Sequence, residues 1–235
     1  MTLPVTFAPL LDQVESLFAL HTNPKVHKKA GHELVTDLDL ILSQEIQKFS
    51  TARNIHLLSE EEDDKQLQYP MLILDPIDGT KEFVRGLPEY ALSLAYMDSP
   101  FFSSPKNWGW IYNPVLAKFN IPCRTPGKLL GFVSRSEWDD GLYANFNSSA
   151  IELRPVGSIA FKLSLLAGNY CDFVITLKDK NLWDIAGGTI ECHQQNFKLF
   201  HKTKQMESFN TIRYTAPMTW CRAELFSTIA DFFKL

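Results

Sequence analysis

The run "MLILDPIDGT", Met71 to Thr80, constrains this chain more than any other stretch of it. Four consecutive apolar residues ahead of a turn signal read as a buried strand. Pro76 presets φ for a turn immediately after Asp75, and Gly79 releases the chain on the far side. The expectation is a strand that stops at Asp75, followed by a turn that holds the Asp75 and Asp78 carboxylates on one side. Two ionised carboxylates so close repel, and one pKa rises unless a cation lies between them. Oxygen-only ligands of this kind suit magnesium, which takes carboxylates, waters and a substrate phosphate. An Asp-Pro turn that merely closes a strand is the other reading of the same residues.

Three neighbouring features bear on that choice. "TKEFVRG" after Gly79 reads as a short helix whose first amides, at Gly79 and Thr80, point at an anion, with the Thr80 hydroxyl beside it. Thr80 reads equally as a helix N-cap. Glu60, in "LLSEEEDD", ends an apolar strand as Asp75 does, although a run of acids is also the signature of a solvated loop. Asp184, in "WDIAGG", stands at a helix start as a candidate N-cap, and Ala186, Gly187 and Gly188 after it permit close helix packing.

Around these motifs the apolar spacing predicts a helix over roughly residues 5–20 and another from Asp37 to Phe49. "NIHLLS" reads as a strand, and "ALSLAYM" and "GWIYNPV" as an adjacent antiparallel pair. Ser99 to Gly127 is rich in Pro, Ser and Gly, which places a boundary between an N-terminal α+β lobe, 1–128, and a C-terminal α/β lobe, 129–235. In the second lobe "KLLGFVS" and "CDFVITL" read as strands. "SIAFKLSLLAGN" reads as a helix capped by Ser158 and stopped at Gly168-Asn169, and "DIAGGTIECHQQN" as a second helix.

Composition narrows the function. A net charge of -4 argues against a nucleic-acid polymer as partner. Cys123, Cys171, Cys192 and Cys221 include no CxxC pair, so neither a zinc site nor a disulfide framework is expected. The first twenty residues mix Asp12 and Glu15 with apolar residues, like an amphipathic helix and unlike a signal peptide, and no window reaches membrane-spanning length. A soluble cytoplasmic protein, monomeric or homodimeric, is the expectation.

Taken together, "VTDLD" (Val35 to Asp39), "SEE" (Ser59 to Glu61), "DPIDGT" and "WDIAGG" resemble, in order, the motifs of the inositol monophosphatase-like superfamily of magnesium-dependent phosphatases. That resemblance implies a two-lobed, layered αβαβα sandwich of mixed α+β and α/β character. It implies that Glu60, Asp75, Asp78, Asp184 and the Ile77 carbonyl hold two or three Mg2+ ions. Asp39 and Thr80 match the pair that orients and activates the attacking water, and Gly79 and Thr80 match the amides that hold phosphate. Lys29 sits at the spacing of a lysine found before "VT" in some members.

Within the superfamily, "DGTKEF", "LLSEE", "FVSRSEW" and "VGSIAFKLSLLAGN" are similar to the 3'(2'),5'-bisphosphate nucleotidase branch. The resemblance implies hydrolysis of 3'-phosphoadenosine 5'-phosphate to AMP, with Gly157 and Ser158 as substrate contacts. Leu177 occupies the place where inositol-directed members carry a glutamate. Lys178 and Lys180 read either as partners for a second phosphate or as solvated loop lysines. Inositol monophosphatase or a broad-specificity sugar phosphatase is the alternative, and a non-catalytic phosphometabolite-binding protein is an alternative of another class. The chain departs from the pattern in a short segment from Trp108 to Leu129 and in the missing glycine pair after the late helix.

Overall fold

In chain order the first half forms α1 (Ala8–Leu20), a β1–β2 ribbon (Val26–Lys28 and Leu34–Thr36), α2 (Asp37–Ala52), β3 (His56–Ser59) and β4 (Met71–Asp78). A single-turn helix α3 (Thr80–Val84), β5 (Ala91–Met97) and β6 (Trp108–Tyr112) complete it. The second half supplies β7 (Leu129–Ser134), α4 (Arg135–Asp139), β8 (Ile151–Val156), α5 (Ile159–Ala167), β9 (Phe173–Thr176), β10 (Lys180–Asn181) and α6 (Leu182–Gln194). It ends in β11 (Lys198–His201), β12 (Lys204–Met206), β13 (Arg213–Tyr214), β14 (Met218–Cys221) and α7 (Phe226–Phe233). The structure is a computed structural model describing residues 6–21, 24–28, 34–62 and 65–235. Lys29 lies outside the described residues.

Helix α1 begins later than its apolar stripe, because Pro9 fits only the first turn. Helix α2 begins where the sequence places it: Thr36 is its N-cap, and Asp39 closes a reciprocal capping box with Thr36. Ser158 caps α5 by accepting from Phe161 N at 2.9 Å. The left-handed residue beyond that helix is Asn169, with φ of 61°, while Gly168 stays at a right-handed φ of -76°.

Four strands, in the order β3-β4-β5-β6, make one sheet, with β3 parallel to β4 and the other pairs antiparallel. Six strands, in the order β12-β11-β14-β9-β7-β8, make the other; β8, β7 and β9 are mutually parallel, joined by crossovers through α4 and α5. The remaining strands of that sheet pair antiparallel, so the alternation of strands and helices predicts only its parallel half.

Helices fill three layers. Leu72 and Leu74 of β4 face outward onto Leu38, Leu42 and Ile46 of α2 and Leu10 and Val14 of α1. Their alternate neighbours Met71 and Ile73 face inward onto α5 and α6, which also pack on Phe132 and Val174 of the larger sheet. Ile229 and Phe233 of α7 cover that sheet's far face over Val133, Phe173 and Ile175. The result is an αβαβα sandwich. The boundary we propose at residue 128 falls in the connection between its two sheets, beside a central core that both halves share.

Candidate active site

Strand β4 does not stop at Asp75. It continues to Asp78 through a bulge: Asp75 pairs with Ser93 and Asp78 with Ala91, so three steps on β4 span two on β5. Pro76 has no N–H to give the ladder, and the Ile77 amide turns instead to Asp75 Oδ1 at 3.1 Å. A bulge bends the strand and re-aims its side chains, and here it brings Asp75, the Ile77 backbone and Asp78 to one cleft. Gly79 follows at φ of 88°, where a Cβ would meet the Glu89 carbonyl oxygen at 2.9 Å, so glycine is required twice over. Gly79, not Thr80, is the N-cap of α3; Thr80 is its first residue, and its Oγ1 donates to Ile77 O at 2.9 Å.

The parallel register of β3 on β4 sets Ser59 against Leu74, so Glu60 emerges beside Asp75 and its amide donates to Leu74 O at 3.2 Å. Lys65 Nζ donates to the Glu60 carbonyl at 2.9 Å and stands 4.4 Å over the Trp183 ring. Asp184 is not an N-cap as its position predicts. Asn181 caps α6, and Asp184, three residues on, accepts the Asn181 amide at 2.9 Å. Ser93 Oγ donates to Trp183 O at 3.1 Å, tying that helix start to β5.

Glu60, Asp75, Ile77, Asp78, Gly79, Thr80, Gly157, Ser158 and Asp184 all line one cleft of about 460 Å³. Asp39 stands outside that lining, 3 % exposed, with Oδ2 accepting from Thr36 Oγ1 at 2.6 Å and Thr36 N at 2.7 Å. Burial, and then Glu60, Asp78, Asp184 and Asp39 in turn, hold the Asp75 carboxyl well above its usual range. Burial and then Asp78 push Asp184 up to about 7. Burial pushes Asp39 up to about 6 against the two Thr36 bonds, with Glu61 and Glu60 adding to the rise. Asp75, Asp184 and Asp39 are thus each held from their ionised form by burial and by neighbouring carboxylates, a crowding that a cation among them would relieve.

A model of the inositol monophosphatase family matches residues 5–130, more than half of the chain. The chain belongs to the inositol monophosphatase family. As a member it is a phosphatase. It is 29% identical over 206 residues to a fructose-1,6-bisphosphatase/inositol-1-monophosphatase of Thermotoga maritima, covering 77% of each chain. A fructose-1,6-bisphosphatase of Pyrococcus furiosus is 30% identical over 174 residues, covering 65% of this chain and 62% of its own. Among solved structures, the Thermotoga maritima IMPase superposes with a TM-score of 0.77 at 21% identity, covering 96% of this chain and 94% of its own. An IMPase/NADP phosphatase complexed with Mg2+ and phosphate superposes at 0.71 and 18% identity, covering 96% and 92%. These likenesses establish the layered fold. No described helix of this family member is long and apolar enough to cross a membrane.

Several residues of the phosphatase cleft escape the sequence reading. Ser134 and Ser136 line it from either side of Arg135, a spacing already present in "FVSRSEW". Lys162 lines it from within α5, where an apolar helix hides a single lysine. Burial and then Asp78 raise the pKa of Glu82, another lining residue.

Of the two loop lysines, Lys180 lines the cleft and lowers the pKa of Asp184, whereas Lys178 pairs with Asp140 at the surface. Leu177 does not face the cleft. It follows the two-residue alternation of Ile175 onto the outer core beneath α7, and its amide donates to Glu137 Oε2 at 2.9 Å. Its apolar side chain therefore has no part in choosing a nucleoside over a polyol.

Proposed function

We propose that this chain is a magnesium-dependent phosphomonoesterase acting on a small bisphosphorylated metabolite, with 3'-phosphoadenosine 5'-phosphate as its first candidate. The observation that supports this most strongly is the convergence of Glu60, Asp75, Asp78 and Asp184 on one cleft, where each neighbour raises the Asp75 pKa. The donor set is all oxygen, which fits a hard cation. Among the described residues no group of three or more His, Cys, Asp or Glu side chains forms a metal-holding set by itself. When bound, Mg2+ lowers the pKa of a water and offsets charge on the phosphoryl oxygens.

The chain's own residues then divide the work. Asp39, buried behind the cleft lining and bonded to Thr36, adds its negative charge to the water-activating side of the site from outside the cleft. The Thr80 hydroxyl donates its hydrogen bond to Ile77 O, which leaves its oxygen lone pairs available to accept from the attacking water. The Gly79 and Thr80 amides hold the transferred phosphoryl group, while Gly157 and Ser158 line and shape the alcohol side of the cleft, their own polar groups being engaged by Glu89, Lys162 and Asp78. Lys180 meets a second phosphate, the role for which Lys178, paired at the surface, is unsuited.

A second reading, a sugar or polyol phosphatase, is favoured by the names of the curated relatives. Phosphate release measured with Mg2+ from 3'-phosphoadenosine 5'-phosphate, fructose 1,6-bisphosphate and inositol 1-phosphate in parallel separates them. Preference for the nucleotide supports the first reading, and preference for either of the others supports the second. Silence on all three would point to another phosphorylated substrate or to a non-catalytic binding protein.

A further inference from the structure

The segment from Pro155 to Ser158, which carries the last two residues of β8 through a turn into α5, has each of its four carbonyls engaged by a cationic side chain. Pro155 O accepts from Arg135 Nη2 at 3.3 Å. Val156 O, Gly157 O and Ser158 O accept from Lys162 Nζ at 3.0, 3.4 and 2.8 Å. The Gly157 amide donates to Glu89 Oε2 at 2.6 Å, and Glu89 in turn forms a two-pronged pair with Arg135, through Nε at 3.1 Å and Nη2 at 2.5 Å. Lys162 is only 1 % exposed. A buried ammonium spent on backbone carbonyls is costly unless it fixes a conformation the chain does not adopt unaided.

That conformation is present at Ser158, whose φ of 50° lies where few residues other than glycine are found. From it, Ser158 Oγ and Ala160 N both donate to Asp78 Oδ2, each at 2.6 Å. Glu89 also ties in the opposite wall: its carbonyl oxygen lies 2.9 Å from where a Cβ would stand on either Gly79 or Gly157. The Arg135–Glu89 pair therefore joins the Asp78-Gly79 turn in the first half of the chain to the Gly157-Ser158 turn in the second.

We propose that Arg135 and Glu89 are positioning residues for the divalent cation. With Lys162 beneath, they hold the 155–158 segment so that Ser158 and Ala160 fix the Asp78 carboxylate and, through it, metal affinity. The inference rests on the proposed metal-binding role of Asp78.

The test is Mn2+ binding to the intact protein, followed by the electron paramagnetic resonance signal of the free ion, which needs no turnover. For Arg135→Ala, shown to be folded by circular dichroism, the Mn2+ Kd rises on the order of tenfold, the size expected when a partner of a metal ligand is lost. Arg135→Lys, a point cation without the fork, recovers part of that loss. Glu89→Gln weakens binding as well and serves as the second variant should Arg135→Ala fail to fold. In each, activity lost at low Mg2+ returns at high Mg2+, which a general loss of structure would not allow. Arg124→Ala, which breaks the surface pair with Asp172, leaves the Kd at its wild-type value. Folded Arg135→Ala and Glu89→Gln proteins that bind Mn2+ within about twofold of wild type, against the tenfold expected, would overturn the positioning role. Wild-type protein that binds no Mn2+ would overturn the metal reading itself, and this role with it.

Discussion

A Cβ placed on Gly109 would lie 2.0 Å from the carbonyl oxygen of Gly187. Strand β6 and helix α6 thus touch backbone to backbone, and on the β5 side a Cβ on Gly187 would lie 3.0 Å from the Leu94 carbonyl. Asp184 sits one turn earlier on that helix, so its place over the β4 bulge depends on two hydrogen atoms where other residues carry side chains.

Gly109→Ala is accordingly expected to destabilise the protein by about 2–4 kcal/mol, at or above the usual cost of overpacking because the neighbour is backbone. Thermal melts report that loss. Turnover measured well below the melting temperature should fall too, because α6 must move away and carry Asp184 with it.

Stability without metal should fall as pH rises. A carboxyl whose pKa is raised by folding favours the folded state while protonated. That contribution is complete below its unfolded value and is lost as pH passes through the folded one. Asp39 rises from 3.8 to about 6 and Asp184 from 3.8 to about 7, so the loss runs from about pH 4 to pH 7. Calorimetric scans of metal-free protein should show a lower Tm at pH 8 than at pH 5. Added Mg2+ should raise Tm more at pH 8, where the cleft is most negative.

Asp75→Asn separates stability from function. Asparagine keeps an oxygen for the Ile77 amide and removes the most crowded charge of the cleft. The metal-free variant should melt above wild type at pH 8, lose the Mg2+ response, and turn over at least roughly a hundredfold more slowly, as when a charge-stabilising group is removed from an active site. An unchanged Mg2+ response would remove Asp75 from the metal set.

Glu191, on the same helix as Asp184, is pushed up to about 7 by burial, with the Ile111 amide at 3.1 Å opposing the rise. Glu191→Gln retains an acceptor for that amide and removes the charge. It should raise Tm at pH 8 by the equivalent of roughly 1–2 kcal/mol while leaving pH 5 nearly unchanged. A Tm at pH 8 equal to or below that of wild type would show that Glu191 is better solvated than its setting implies.

The sequence discloses the site's chemistry better than its geometry. "DPIDGT", "SEE" and "WDIAGG" are contiguous, and each carries its own turn or cap chemistry, so the lining carboxylates can be named before any fold is known. The continuous apolar run of β4 likewise declares a strand buried on both faces. The bulge at Pro76 is less legible, because a proline after a strand signals a turn as readily as a skipped pairing. Leu177 misleads because its orientation depends on where β9 ends, a matter of a single residue in a two-residue period. The Arg135–Glu89 pair joins residues 46 positions apart through the packed sandwich, and nothing local in either segment announces the other.

Phosphate release from the preferred substrate, titrated with Mg2+ in wild type and in Asp184→Asn, tests the central claim most directly. The account predicts no turnover in the presence of a chelator, saturable activation by Mg2+, and loss of that activation in the folded variant. Turnover that needs no divalent cation, or an Asp184→Asn protein activated as wild type is, would contradict it.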